Sequence, residues 1–345
     1  MKEITIKTDF STSRVLIGES FKNVGKYLPE KKTVIITDEN ILKHYNNELP
    51  DFPKVVIGLG EKNKTLATLD FIFSKFLEYE VDRSWFVLAI GGGIVCDVAG
   101  FAASAYMRGL PFGFISSTLL SQVDASVGGK NGVNFQGYKN MIGVFNQPQF
   151  VICDMEMLKT LNRKEYIAGF AEIIKAGAIK NEKLFGYIED NVEKALGLDN
   201  EVVSNMVYES VRIKADVVIE DEREKGERRK LNLGHTFAHS FEKNLGILHG
   251  EAVSIGMVLA SKLSQQLGLL SPDATKKMIN VLKAFGLPTE LGIDKELLLS
   301  GMKKDKKREG ENIHLVLLDK IGNAVIKGVS IIKMEEMVND LYRII

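Results

Sequence analysis

The chain has 345 residues, 45% hydrophobic and 26% charged, enough apolar content to bury a large core and too much for a disordered chain. Its 45 Lys and Arg balance 45 Asp and Glu, and a formal net charge of zero argues against a general nucleic-acid binder, which carries a basic excess. Two cysteines, Cys96 and Cys153, without a C-x-x-C pattern argue against a disulfide framework or a thiolate zinc site, and no apolar run reaches the roughly 18 residues of a membrane-spanning helix.

The opening "MKEITIKTDF" alternates like a strand and does not read as a signal peptide, so a reducing, cytoplasmic setting is expected. Short β-branched runs follow: "KTVIITD" (residues 32–38), "KVVIGLG" (54–60), "SWFVLAIGGG" (84–93) and "GFISST" (113–118). Amphipathic stretches such as "TLATLDFIFSKFLEYEV" (65–81) lie between them. This βαβα order predicts a mostly parallel sheet with helices on both faces, and ligands beyond the carboxyl ends of its strands. From about Asn162, long helical patterns take over: "RKEYIAGFAEIIKAGAI", "EVVSNMVYESVRIKADVVIEDERE" and "GEAVSIGMVLASKLSQQLG". A hairpin-like piece, "NIHLVLLDKIGNAVIKG" (312–328), precedes a terminal helix. The reading is an α/β Rossmann-like domain over residues 1–161 and a mainly α-helical domain over 162–345.

Three stretches carry chemistry. In "VLAIGGGIVCDVAG" three glycines join a strand to a helix, which allows close backbone approach to a phosphate at the helix N-terminus. Cys96 stands where the dinucleotide fingerprint has its third glycine, so a plain tight turn remains an alternative. "SVGGKNGVNFQGYKN" (126–140) offers backbone amides at Gly128 and Gly129, the ammonium groups of Lys130 and Lys139, and the amides of Asn131, Asn134 and Asn140. It reads as a loop suited to a multiply charged anion, or as an ordinary surface loop. "LNLGHTFAHSFEKNLGILHGEAV" gathers three of the five histidines: His235, His239 and His249. His235 and His239, four apart, would share a helix face as metal ligands; capping or core histidines are the plain alternative. Glu172 and Lys175 in "AEIIKAG" are by themselves a surface ion pair.

Taken together, "GGGIVCDVAGFAASAYMRG", "STLLSQVDASVGGKNGVN", "YKNMIGVFNQP", "AGFAEIIKAG", "LNLGHTFAH" and "HGEAVSIGM" resemble the 3-dehydroquinate synthase family of sugar-phosphate cyclases, over nearly the whole chain and in the same order. The resemblance implies an N-terminal domain that binds NAD, a helical domain that binds one divalent metal, zinc or cobalt, and an active site between them. It makes Glu172, His235 and His249 the metal ligands and moves His239 to a substrate contact. Asp38 and Asn40 match positions near the adenosine ribose. Glu61, Lys64, Gly93, Ile94, Val95, Cys96, Asp97, Ser117, Thr118, Lys130, Lys139, Leu158, Lys159 and Thr160 match other cofactor-site positions. Arg108, Asp124, Lys130, Asn140, Lys175, Lys214, Arg228, Asn232, His239 and Lys306 match substrate positions, and Glu224 a polar residue beside the metal. The chain departs from the family at Cys96, at "SST" and at "NFQGYKN".

The implied activity is conversion of a seven-carbon sugar-acid phosphate to 3-dehydroquinate and phosphate in the shikimate pathway. It runs through transient oxidation at carbon 5, phosphate elimination, re-reduction and intramolecular aldol closure. A homodimer is implied, without a nucleic-acid or membrane partner. A metal-dependent polyol dehydrogenase and a non-catalytic NAD- or sugar-phosphate-binding regulator are the rival readings. The Lys175, Lys214 and Arg228 set argues against the first, and the complete ligand set against the second.

Overall fold

The β-branched runs of the first half become strands of one sheet in the computed structural model, which describes residues 1–8, 11–238, 242, 246–290, 308–309 and 312–343. In chain order they are β1 (Lys2–Lys7), β2 (Thr12–Ile17), β3 (Thr33–Asp38), β4 (Lys54–Ile57), β5 (Phe86–Gly91) and β6 (Phe112–Ser116). Helix α1 (Glu39–Tyr45) joins β3 to β4, α2 (Leu66–Glu78) joins β4 to β5, and α3 (Gly93–Ala105) leads from β5 towards β6. β7 (Lys130–Phe135) and β8 (Tyr138–Phe145) form a separate antiparallel ribbon, and β9 (Phe150–Cys153) returns to the main sheet. The seven-stranded order is β1-β2-β9-β6-β5-β3-β4, parallel except for the β1–β2 pair.

That order opens a crevice. β3 to β4 steps outward to the sheet edge, and β4 to β5 steps back across β3. Right-handed crossovers therefore put α1 on one face and α2 and α3 on the other. The chains leaving β3 and β5 diverge, which is the switch point where open α/β sheets take ligands. β5 is buried along its whole length, as a strand covered on both faces must be. Phe86, Leu88 and Ile90 pack with Leu16, Ile35, Ile115 and Ile152, and each such fully buried side chain contributes about 1.5–3 kcal/mol.

Two features depart from the sequence reading. β2 and β9 lie outside the anticipated strands. Residues 126–140, expected as a loop, hold β7 and the start of β8. Gln136 and Gly137 both have positive φ, 48° and 78°, and join Phe135 to Tyr138 as a two-residue hairpin turn with matching twist.

The helical patterns of the second half give α4 (Arg163–Lys180), α5 (Glu182–Asp190), α6 (Val192–Leu196), α7 (Asn200–Glu220), α8 (His249–Gln266) and α9 (Pro272–Ala284). β10 (Arg308–Glu309), β11 (Asn312–Lys320) and β12 (Asn323–Ser330) make a small antiparallel sheet before α10 (Ile331–Arg343). The fold class is the one the sequence implied: α/β on a mostly parallel sheet, then mainly helical. Packing divides the chain into two units, Met1–Asn162 with Val203–Arg223, and Arg163–Val202 with Glu224–Ile345. Most of α7 thus packs with the sheet unit, where Lys2 Nζ donates to Asn205 Oδ1 at 3.0 Å. Among the described residues no helix is long and apolar enough to cross a membrane.

Candidate active site

In the sheet unit the crevice is lined by the ends of β3 and β5. Asp38 ends β3 and caps α1, accepting from the Ile41 amide at 3.0 Å; burial raises its pKa. Asn40 is exposed beside it. Gly93 begins α3 just beyond the end of β5, and no side chain caps that helix, so its first amides could take an anion. A Cβ on Gly93 would stand 2.9 Å from the Ala125 Cβ, so only glycine keeps this approach. Ile94 is half-buried; Val95 and Cys96 are buried and can offer a ligand only backbone. Asp97 pairs with Lys64 at 2.5 Å; burial raises its pKa, against the pull of Lys64. The Ser117 amide donates to Gly91 O at 2.9 Å, and Thr118 shares a hydroxyl network with Ser121. Leu158 is buried, Lys159 pairs with Glu156 at 2.7 Å, and Thr160 meets the Tyr45 hydroxyl at 2.7 Å.

The β7–β8 ribbon ties this region together. Asn134 donates from Nδ2 to Glu61 at 2.8 Å and accepts from the Asn140 amide at 2.9 Å, while its own amide donates to Lys64 O. Asn140 is held at a φ of 51°. Asn131, offered by the sequence as an anion contact, is structural: its buried amide donates to Gly129 O and Asn146 O. Lys130 and Lys139 are exposed on the ribbon. Lys214 of α7 donates to both the backbone and the side chain of Asp124, at 2.6 and 2.5 Å. Arg108 is not brought to the glycine turn: it lies beyond the other end of α3, about 20 Å of helix away, at an exposed corner with φ 71°.

In the helical unit three distant segments meet. Glu172 is buried on α4, His235 follows the turn at Gly234, and His249 opens α8. Their ligand atoms lie within 4.8 Å of one another. Glu172 Oε1 faces His249 Nε2 at 3.2 Å and His235 Nε2 at 3.7 Å, while Oε2 pairs with the buried ammonium of Lys175. Gly250 permits this: a Cβ there would stand 1.9 Å from Ala168 O, so α8 could not begin so close to α4. Burial opposes protonation of His249, but Glu172 and Glu242 outweigh it and raise its pKa to about 9. Two imidazoles and a carboxylate, facing one another with room between them, fit a divalent ion that keeps an open position. Glu172 and Lys175, which read from sequence as a surface pair, are 2% and 4% exposed.

Asn232 donates to Glu224 at 2.5 Å, with Glu224 at a φ of 59°, and Arg228 is buried nearby in sequence. His239 and Lys306 lie outside the described residues. Sequence reasoning missed the role of Asn134 as a tie and missed Glu242 altogether, a buried carboxylate 2.5 Å from His249 Nδ1. Its only sequence signal was a carboxylate lying between His239 and His249.

Residues 54–168 match a family model described as 3-dehydroquinate synthase N-terminal, and 169–308 one described as 3-dehydroquinate synthase C-terminal. A 3-dehydroquinate synthase of Halorhodospira halophila is 41% identical over 325 residues, covering 91% of this chain and 92% of the relative. Among solved structures, 2-epi-5-epi-valiolone synthase from Streptomyces hygroscopicus, with NAD+ and Zn2+ bound, superposes with a TM-score of 0.87 at 26% identity, covering 99% of this chain and 98% of that one. A 2-deoxy-scyllo-inosose synthase complexed with carbaglucose-6-phosphate, NAD+ and Co2+ also gives 0.87 at 23% identity, over 98% and 100% of the two chains, and shares the fold.

Proposed function

This chain belongs to the 3-dehydroquinate synthase family, and on that premise we propose that it converts 3-deoxy-D-arabino-heptulosonate 7-phosphate to 3-dehydroquinate and phosphate. The reaction is a carbon–oxygen lyase step of the shikimate pathway, on the way to chorismate and the aromatic amino acids. The observation that carries it is Glu172 turning one oxygen to two histidine nitrogens and the other to a buried lysine. NAD supplies reversible hydride chemistry at carbon 5, and a divalent metal, zinc or cobalt, supplies a Lewis acid.

The chain's residues provide the rest. Asp38 and Asn40 would hold the ribose, the α3 amides from Gly93 the pyrophosphate, and Glu61, Lys64, Asp97, Ser117, Thr118, Lys139 and residues 158–160 the remaining nucleotide contacts. Glu172, His235 and His249 would hold the metal. Lys175, buried against Glu172, would donate a hydrogen bond to a substrate oxygen at the centre. Lys130, Lys214 and Arg228 supply positive charge for carboxylate and phosphate, with Arg228 suited to a two-pronged grip. Arg108, Asp124, Asn140, Glu224, Asn232, His239 and Lys306 would complete the substrate contacts. Residues 1–161 would carry the NAD contacts and 162–345 the metal ligands, with the substrate set as named above, and the protein cytoplasmic and a homodimer.

The test follows phosphate release and the absorbance of NADH. Phosphate should appear at every turnover without NADH build-up. One NADH per turnover, without phosphate, would make the chain a dehydrogenase instead.

A further inference from the structure

The metal cluster has a second carboxylate behind it. Glu242 Oε1 lies 2.5 Å from His249 Nδ1, and its side chain is 3% exposed. On the other side of the same ring, Nε2 faces Glu172 Oε1 at 3.2 Å. A ligating imidazole is neutral and leaves one nitrogen bare. If Nε2 is the ligand atom, the proton sits on Nδ1 and is donated to Glu242. His235 is oriented differently: its Nδ1 faces the neutral carbonyl of Leu233 at 3.2 Å.

Charge sharpens the contrast. The Glu172 carboxylate is matched by the Lys175 ammonium on its other oxygen. Those two cancel, and the histidines add nothing when neutral. The Glu242 carboxylate adds a negative charge on the Nδ1 side of His249, behind the nitrogen that would face the ion. We propose that Glu242 is a positioning residue of the metal centre: it holds His249 in the Nε2-ligating tautomer and orientation, and it strengthens that nitrogen as a donor. The inference rests on the reading of Glu172, His235 and His249 as ligands. An outer carboxylate of this kind is commonly worth about 10- to 100-fold in metal affinity.

The experiment measures metal affinity rather than turnover. Full-length wild type, Glu242→Gln and Glu242→Ala are stripped of metal and titrated with Co2+ against a competing chelator, with the Co2+ absorption spectrum recorded. Glu242→Gln keeps the size and an acceptor oxygen but loses the charge, so it guards against a fold defect, which thermal unfolding would reveal. Expected are about 10-fold weaker binding in Glu242→Gln and up to about 100-fold in Glu242→Ala, with an altered spectrum. In a His249→Ala background, removing Glu242 should add little further loss. A folded Glu242→Gln and Glu242→Ala pair with wild-type affinity and spectrum overturns the inference, as does an equal loss with and without His249. A wild type that binds no Co2+ removes the site and the inference together. Phosphate release by wild type is scored separately, so failure of the proposed reaction is distinguishable from failure of this role.

Discussion

The crevice at the end of the sheet and the metal cluster among the helices are built by opposite strategies. The crevice follows from topology: β3 and β5 are neighbours whose chains leave to opposite faces, and the glycine turn is one continuous stretch from Gly91 to Gly93. The cluster has no local origin. Residues 172, 235 and 249 come from separate segments and meet because α8 can begin against α4. The difference teaches that a site written into one strand–turn–helix tolerates change elsewhere, whereas a cluster drawn from three segments depends on every contact that aligns them.

The largest expected effect tests whether the cluster is a metal centre. Chelation should abolish turnover, with zinc or cobalt restoring it. His235→Ala should purify metal-poor, with turnover down roughly 1,000-fold or more, since a Lewis-acid metal supplies several kcal/mol of charge stabilisation. His239→Ala should keep its metal and only slow, by roughly 100- to 10,000-fold if it handles protons. Metal content by elemental analysis beside phosphate release separates them. Equal metal loss in both would reinstate the shared-helix-face reading and remove His249 from the ligand set.

The same contrast explains what could be read in advance. Alternating runs marked β1 and β4, half-buried on a pleated sheet, and continuous apolar, β-branched runs marked β3, β5 and β6, which are buried on both faces. β2 and β9 escaped although they are as long as β3 and β4, because helical patterns do not frame them on both sides. The β7–β8 ribbon was hidden by its glycines and asparagines, which read as loop although Gly132 and Gly143 face each other within it. At the candidate metal site, spacing suggested joint ligation by an i, i+4 histidine pair, of which His239 lies outside the described residues, and Glu172 with Lys175 looked like a surface pair although both are buried. Only the resemblance chose His249, because no local period connects residues 172 and 249. Glu242 was invisible for the same reason: its partner is a ring seven residues on, and nothing in the sequence says which nitrogen it meets.

Gly250→Ala should break the cluster from a distance. The added methyl would meet Ala168 O at 1.9 Å, and overpacking of this kind costs about 1–3 kcal/mol. Strain relieved by shifting the start of α8 carries His249 away from Glu172. Thermal unfolding and Co2+ titration should therefore fall together, with affinity down roughly 10-fold for each 1.4 kcal/mol diverted. Loss of stability with unchanged metal affinity would show that the cluster adapts to a shift of one of its three segments.

Gly93→Ala is the counterpart in the sheet unit and a milder one, since its Cβ would meet a methyl group at 2.9 Å rather than backbone. NAD affinity, by fluorescence or calorimetry, should fall roughly 10-fold, near the lower end of the same strain range. Co2+ affinity should not change. A parallel loss of both would mean that the two regions are not independent in their assembly.

Asn134→Ala should have the smallest effect, and its pattern is the informative part. Asn134 grips Glu61 from one side and the Asn140 amide from the other, while its own backbone holds Lys64 O. Alanine keeps the backbone bond and loses both side-chain bonds. A net hydrogen bond is worth about 0.5–1.5 kcal/mol, and both lie towards solvent, so a total near 1 kcal/mol is expected. Glu61 would then lose its anchor and Asn140 its support at a φ of 51°. If Glu61 contacts the nucleotide and Asn140 the substrate, as proposed, KM for NAD and KM for the sugar phosphate should each rise roughly 2- to 5-fold, with stability lower by no more than about 1 kcal/mol and metal content unchanged. A rise in one KM alone would show that the ribbon positions a single ligand. A fall in metal content would show that a contact internal to the sheet unit reaches the helical cluster, the one result that would make the two construction strategies a single one.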